Sequence, residues 1–150
     1  LDHSLREVLD TLLGAVGCRY VGVDPVRLEP LFQTSEERLV ELEELPKSAR
    51  HLCAFGALTL RALAAAYPSK NAAEAEGVVL IDDIETQLES SVERHIGHLL
   101  HSALPRVQWI LTTSSPRVTL GCELHEVLAL RRTGSSGRVS VHEGASAIIH

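Results

Sequence analysis

Two short stretches of this chain carry side chains that can do chemistry together. The first reads Val78-Val79-Leu80-Ile81-Asp82-Asp83, an apolar run leading straight into two acids. Such a run is the pattern of a strand buried on both faces of a parallel sheet. The acids then fall at the strand's C-terminal edge, where open α/β sheets bind ligands. One carboxylate there can hold Mg²⁺ through its oxygens while its neighbour takes a proton from an attacking water. The plainer reading is that both acids sit at the positive end of the helix that follows.

The second stretch is Ile110-Leu111-Thr112-Thr113-Ser114-Ser115-Pro116, an apolar run ending in four consecutive hydroxyl residues. One crossover separates the stretches, so both are expected at the same rim of one sheet. Hydroxyls beside carboxylates suit a phosphate and metal site, although Ser and Thr are also routine in turns.

The elements that must position these residues follow from spacing. Residues 4–16 repeat apolar side chains at helical intervals. Segments 20–23, 28–33 and 38–42 read as strands of a small antiparallel meander with one wet face. Residues 47–67 form a long helical pattern with Leu52, Phe55, Leu58, Ala62, Leu63 and Ala66 along one side, stopped by Pro68. After a polar loop comes the strand 78–81, then a helix over 85–104 with an inner stripe of Leu88, Val92, Ile96, Leu99 and Leu100. The strand 108–111 completes a right-handed βαβ unit. A short helix is expected within 118–124, a third strand at 126–130, and a hairpin return at 138–142 after Gly134-Ser135-Ser136-Gly137. No repeat or linker divides the chain, so residues 1–150 read as a single α/β domain.

Composition narrows the function classes. A content of 45% hydrophobic and 23% charged residues excludes wholesale disorder. The net charge of −6 argues against a protein that coats nucleic acid with its whole surface. Arg131, Arg132 and Arg138 form a local basic group that reads as a solvated strand end. No stretch reaches the roughly 18 apolar residues of a membrane span. With no signal peptide visible, a cytoplasmic location is expected, and Cys18, Cys53 and Cys122 read as reduced, buried thiols. The chain has no Met and starts at Leu1, which suggests a piece of a longer protein.

Three further groups read as structural. His95, His98 and His101 recur on the helix after the acids and fit an outer polar face better than a metal site. Trp109 lies in an apolar strand and is expected in the core. Glu36, Glu37, Glu41, Glu43 and Glu44 mark the wet side of the meander.

Residues 78–132 resemble the C-terminal part of bacterial ABC-type ATPases labelled AAA-family ATP-binding proteins. The relatives of that family include chromosome-maintenance and DNA-repair ATPases and the nucleases of the overcoming-lysogenization-defect class. In the family a Walker B strand ends in Asp-Glu, a helix follows, and the next strand ends in a Thr-Thr-His-Ser-Pro switch motif. By this resemblance Asp82 takes the metal-associated position and Asp83 that of the catalytic Glu. Thr112, Thr113, Ser115 and Pro116 match the switch motif, with Ser114 where His stands in the family. The segment 126–130 resembles the strand that follows. Leu45-Pro46-Lys47-Ser48-Ala49-Arg50 sits where the signature motif, Leu-Ser-x-Gly-Glu or similar, opens a long helix.

The departures concern the groups that handle phosphate. Pro46 replaces the signature Ser and removes a backbone donor, while Ser48 replaces its Gly and adds a side chain. Asp83 is one methylene shorter than Glu, and Ser114 has no ring nitrogen for a γ-phosphate. No G-x-x-x-x-G-K-[ST] loop is present, because neither Lys47 nor Lys70, the only lysines, follows a Gly. In the family that loop lies near the N-terminus of the whole protein.

The resemblance therefore implies a partial P-loop/ABC-ATPase core with parallel strands, a crossover helix, a signature-type helix and a meander. It implies an ATP-binding module, incomplete as given and inactive alone. Asp82 would serve the metal, Asp83 and Ser114 catalysis, and Ser48 and Thr113 nucleotide contact. ATP and Mg²⁺ would bind only with a P-loop half, supplied by a missing N-terminal part or a second subunit. A homodimer and a nucleic-acid partner are allowed by resemblance alone, and no membrane partner is expected. The alternative is a catalytically dead scaffold or regulatory interaction module.

Overall fold

Helix α1 (Asp2–Gly14) turns Val8, Leu9, Leu12 and Leu13 to one side, and all four are buried. It lies against α2 (Lys47–Ala66), against β1 of the meander (Cys18–Val23) and against the later helix α4 (Ile96–Ala103). The structure, a computed structural model, describes residues 2–133, 137–144 and 147. Contact between α1 and α2 runs through Gly56. A Cβ there would come within 2.7 Å of a Leu12 methyl. This close approach selects the buried face of α2, which is Ser48, Ala49, Leu52, Cys53, Gly56, Thr59, Leu60 and Leu63. The expected stripe is corrected at Leu58, which is 60% exposed, and at Ala62 and Ala66, which are exposed too. Small residues let the helices meet, and the larger Leu58 is rotated outward.

The meander is as the alternation predicts. β1, β2 (Pro30–Thr34) and β3 (Leu39–Glu41) pair antiparallel in that order. Tyr20, Phe32 and Val40 lie side by side in register on the buried face, with the two rings 5.7 Å apart.

β4 (Gly77–Ile81) and β5 (Val107–Leu111) pair in parallel, with Val78 opposite Gln108 and Ile81 opposite Leu111. The expectation of burial on both faces fails. Val79, Ile81, Trp109 and Leu111 pack on the core, but Val78 and Leu80 are 58% and 73% exposed, and Ile110 is exposed beside them. Helices of the described residues cover one face only.

The crossover is also broken where one helix was expected. It runs as a 3₁₀ turn (Ile84–Gln87), α3 (Ser90–Glu93) and α4. Leu88 and Glu89 are extended, and the Glu89 amide is bonded to the Ser48 hydroxyl of α2 instead of to a helical carbonyl. Val92, Ile96, Leu100 and Leu104 still bury a common stripe.

After β5, Ser115 caps the short helix α5 (Pro116–Thr119), and a 3₁₀ turn (Leu124–Glu126) follows. Gly121 is required here, because a Cβ would fall 1.8 Å from the Arg94 carbonyl oxygen. β6 (Leu128–Thr133) and β7 (Arg138–Glu143) form an antiparallel hairpin. The expected third strand is β6, and the expected return at 138–142 is β7, which pairs with it. Of the expected 134–137 turn, residues 134–136 lie outside the described residues. All three cysteines are free thiols, and burial pushes the Cys53 thiol up to about 11. Among the described residues no helix is long and apolar enough to cross a membrane.

Candidate functional site

The parallel register decides what meets at the rim. Because Ile81 lies opposite Leu111, Asp82-Asp83 and the hydroxyl run leave the sheet at the same edge. Backbone bonds continue past the strands, from Thr112 N to the Ile81 carbonyl at 3.0 Å and from Ile84 N to the Thr112 carbonyl at 3.1 Å. Thr112 also bridges the two acids. Its Oγ1 donates to Asp82 Oδ1 and accepts the Asp83 N–H at 2.8 Å. Asp83 adopts φ 48°, ψ 53°, the left-handed region. That region costs an L-residue roughly 1–2 kcal/mol and suits a short polar side chain such as Asp. The turn it makes sends the chain back across the rim.

That return places Glu85 at the centre of the hydroxyl turn. Its carboxylate accepts Thr113 Oγ1–H at 2.6 Å, and Ser114 N–H and Oγ–H, each at 2.7 Å. Burial works to raise the Glu85 pKa, but these hydrogen bonds outweigh it and hold the carboxyl down at about 2. Beside it, Ser115 Oγ donates to Glu93 Oε2 at 2.6 Å.

The structure therefore brings Asp82, Asp83, Thr113 and Ser114 together. Ser48 is elsewhere: it is fully buried under the crossover, and its Oγ accepts the Glu89 N–H at 2.7 Å. Lys47 beside it donates to the Thr86 carbonyl at 3.0 Å. The start of α2 thus supports the turn carrying Glu85 and stays outside the rim itself. Glu85, Glu93 and the bridging role of Thr112 escaped sequence reasoning. The one signal available was a run of acids, at 82, 83, 85, 89 and 93, in a segment read as a plain helix.

Electrostatically the rim is rich in carboxylates, with Asp82, Asp83, Glu85 and Glu93 at or beside it. The ion pairs of His3 with Glu7, of Arg27 with Glu29 and Glu41, and of Arg106 with Glu76 lie away from this edge. No group of three His, Cys, Asp or Glu side chains among the described residues could hold a metal ion unaided. That covers His95, His98 and His101 as well. Asp82 is exposed, with Thr112 bonded to one of its oxygens. One available carboxylate fits Mg²⁺ in its usual mode, held by one or two carboxylates with phosphates and water completing the shell. A cleft of about 470 Å³ lies at the opposite end of the strands, lined by Tyr67, Lys70, Glu76 and Arg106 among others. It shares no residue with the rim, and its cations are engaged, Arg106 with Glu76 and Lys70 over the Tyr67 ring.

No family model matches the chain, and no curated protein matches its sequence. Solved structures match its fold. The SMC head domain of Thermotoga maritima superposes with a TM-score of 0.63 at 17% identity, over 95% of this chain and 46% of that one. An SMC head bound to the C-terminal winged-helix domain of ScpA gives 0.60 at 14%, over 98% of this chain and 43% of that one. A structure from work on ATP-driven dimerization and DNA-stimulated activation of SMC ATPases gives 0.58 at 14%, over 95% and 81%. The chain thus spans about half the length of the first of these. At such identities the likeness is one of fold, the mixed α/β architecture of SMC ATPase heads.

Proposed function

We infer that this chain is the Walker B-bearing part of an ABC-type ATPase head, a module that contributes to a nucleotide site without containing all of it. The observation that carries this reading is the arrival of Asp82-Asp83 and the 112–115 hydroxyls at one edge of a parallel pair, within a fold shared with SMC heads. Asp82 would hold Mg²⁺ together with nucleotide phosphates, and the ion would offset phosphate charge. Asp83 is the candidate base for an attacking water, and Thr113 and Ser114 the candidate phosphate contacts. Ser48 keeps the crossover in place from behind, so any part it plays toward nucleotide would act through Glu89 and the turn.

The open side of β4–β5 supports the view that a further lobe completes the site. Parallel sheets are ordinarily covered on both faces, and Val78, Leu80 and Ile110 remain exposed here. A P-loop lobe, from the same protein or a second subunit, has the required chemistry. Its lysine would meet the acidic rim, and the exposed Val78, Leu80 and Ile110 call for an apolar surface on it. The solved relatives include an SMC head in complex with ScpA and SMC ATPases stimulated by DNA. A homodimer and DNA are accordingly the next partners to test.

Titration of the isolated chain with Mg²⁺·ATP should show no binding tighter than millimolar, because the P-loop cradle and its lysine are missing. In a P-loop-containing protein that includes this chain, Asp82→Asn should abolish turnover. Full activity in that variant would reject the metal role. The second reading, an inert scaffold, is favoured by one observation: Glu85 already holds the Thr113 and Ser114 hydroxyls. An assembly that binds its P-loop lobe yet never hydrolyses ATP would establish it.

A further inference from the structure

Four consecutive hydroxyls, on Thr112, Thr113, Ser114 and Ser115, each give their proton to a carboxylate of the 82–93 segment. The acceptors are Asp82, Glu85, Glu85 again and Glu93. Three of the hydroxyl oxygens also accept a backbone N–H, from Asp83, Ser115 and Arg117. A hydroxyl has one proton to donate, so a row wired in this way has no hydroxyl donor left to offer. The Ser114 amide is taken as well, by Glu85 at 2.7 Å. A phosphate oxygen requires donors.

We propose that Glu85 is a built-in anion seated on the donor set of the 113–114 turn, closing that turn to a phosphate oxygen until the Glu85 side chain swings away. Three donors converge on this one carboxylate, at distances typical of strong charge-assisted bonds. A phosphoryl group would use the same convergence. Neutral pH does not open the seat, because the carboxyl stays ionised down to about 2. Nor does a bare anion displace it easily, since Asp82, Asp83 and Glu93 lie around the turn. A phosphate that enters must have its charge offset by a divalent cation. The proposal rests on the nucleotide reading for the class of anion, and adds to it an internal blocker.

The test uses the ¹⁵N-labelled chain, wild type and Glu85→Gln, titrated with inorganic phosphate in the presence of Mg²⁺ while the Ser114 amide resonance is followed. Gln removes the charge and the bond to Thr113 but keeps one oxygen that can accept both Ser114 hydrogens, so it loosens the seat. The variant should show a saturable shift at phosphate concentrations at least about tenfold lower than the wild type, the factor expected when nine-tenths of the population was closed. Equal responses in the two proteins, or no response in either, would overturn the proposal. Glu85→Ala, which removes the acceptor altogether, is titrated in parallel and should respond at least as strongly, and it is read alone should Glu85→Gln not fold. Mg²⁺·ATP on the same samples separates the two layers. Phosphate seating in the variant with no ATP response at Asp82 would leave the blocker and remove the nucleotide. An ATP response at Asp82, with Ser114 unmoved in both proteins, would leave the nucleotide and remove the blocker.

Discussion

The meander and the β4–β5 pair are both small sheets packed on one core, yet only the first is finished. Tyr20, Phe32 and Val40 are shut into the core on the meander's inner face, at 4% exposure or less, with β1 lying against α1. Across the molecule, Leu80 of β4 stands 73% exposed on the face of the parallel pair that no described helix covers. Antiparallel sheets tolerate one solvated face, whereas parallel ones are normally sealed on both. The finished sheet carries no cluster of reactive groups. The unfinished one carries the acids and hydroxyls, which is the distribution expected of a protein whose stability lies at one end and whose site is completed from outside at the other.

This contrast makes three effects of decreasing size measurable. The largest effect should come from Phe32→Ala, which empties a fully buried position. A loss of about 3–5 kcal/mol is expected in denaturant unfolding. A loss below about 1 kcal/mol would mean that the meander is not the stable end. The second is a pH effect at the rim. Glu85 titrates at about 2 when folded, against an ordinary value of 4.5. Its contribution is therefore fully present above 4.5 and is lost as pH falls from there toward 2. Acid titration of unfolding should be steeper over that window in the wild type than in Glu85→Gln. Parallel curves would remove Glu85 from the network. The smallest effect should come from Leu80→Ser on the open face, within about 0.5 kcal/mol for the chain alone. A cost approaching that of Phe32→Ala would show that something covers this face after all.

Much of this arrangement was legible in local patterns. Periodicity located α1 and α2 and the meander, and the run from Val78 to Asp83 with the hydroxyls from Thr112 placed the rim. What escaped depends on contacts between distant residues. The crossover breaks because Ser48 takes the Glu89 amide from 41 positions away. Leu58 faces outward because Gly56 must meet Leu12. Glu85 belongs to the site through partners 28 and 29 positions later, which no helical spacing reveals. The open sheet face was hidden for another reason. An apolar run signals that a strand wants cover, but does not say whether the same chain supplies it.

On the proposed function, the edge shared by Asp82 and the 112–115 hydroxyls is where nucleotide and metal are met. Mn²⁺·ATP added to the ¹⁵N-labelled chain tests it directly, because paramagnetic broadening reports even a weak, localised encounter. Broadening should centre on the amides of Asp82, Asp83, Thr112 and Thr113 and fade in Asp82→Asn. Broadening centred on the acidic meander residues 36–44 or on the cleft at Tyr67 and Arg106, unchanged by Asp82→Asn, would contradict it.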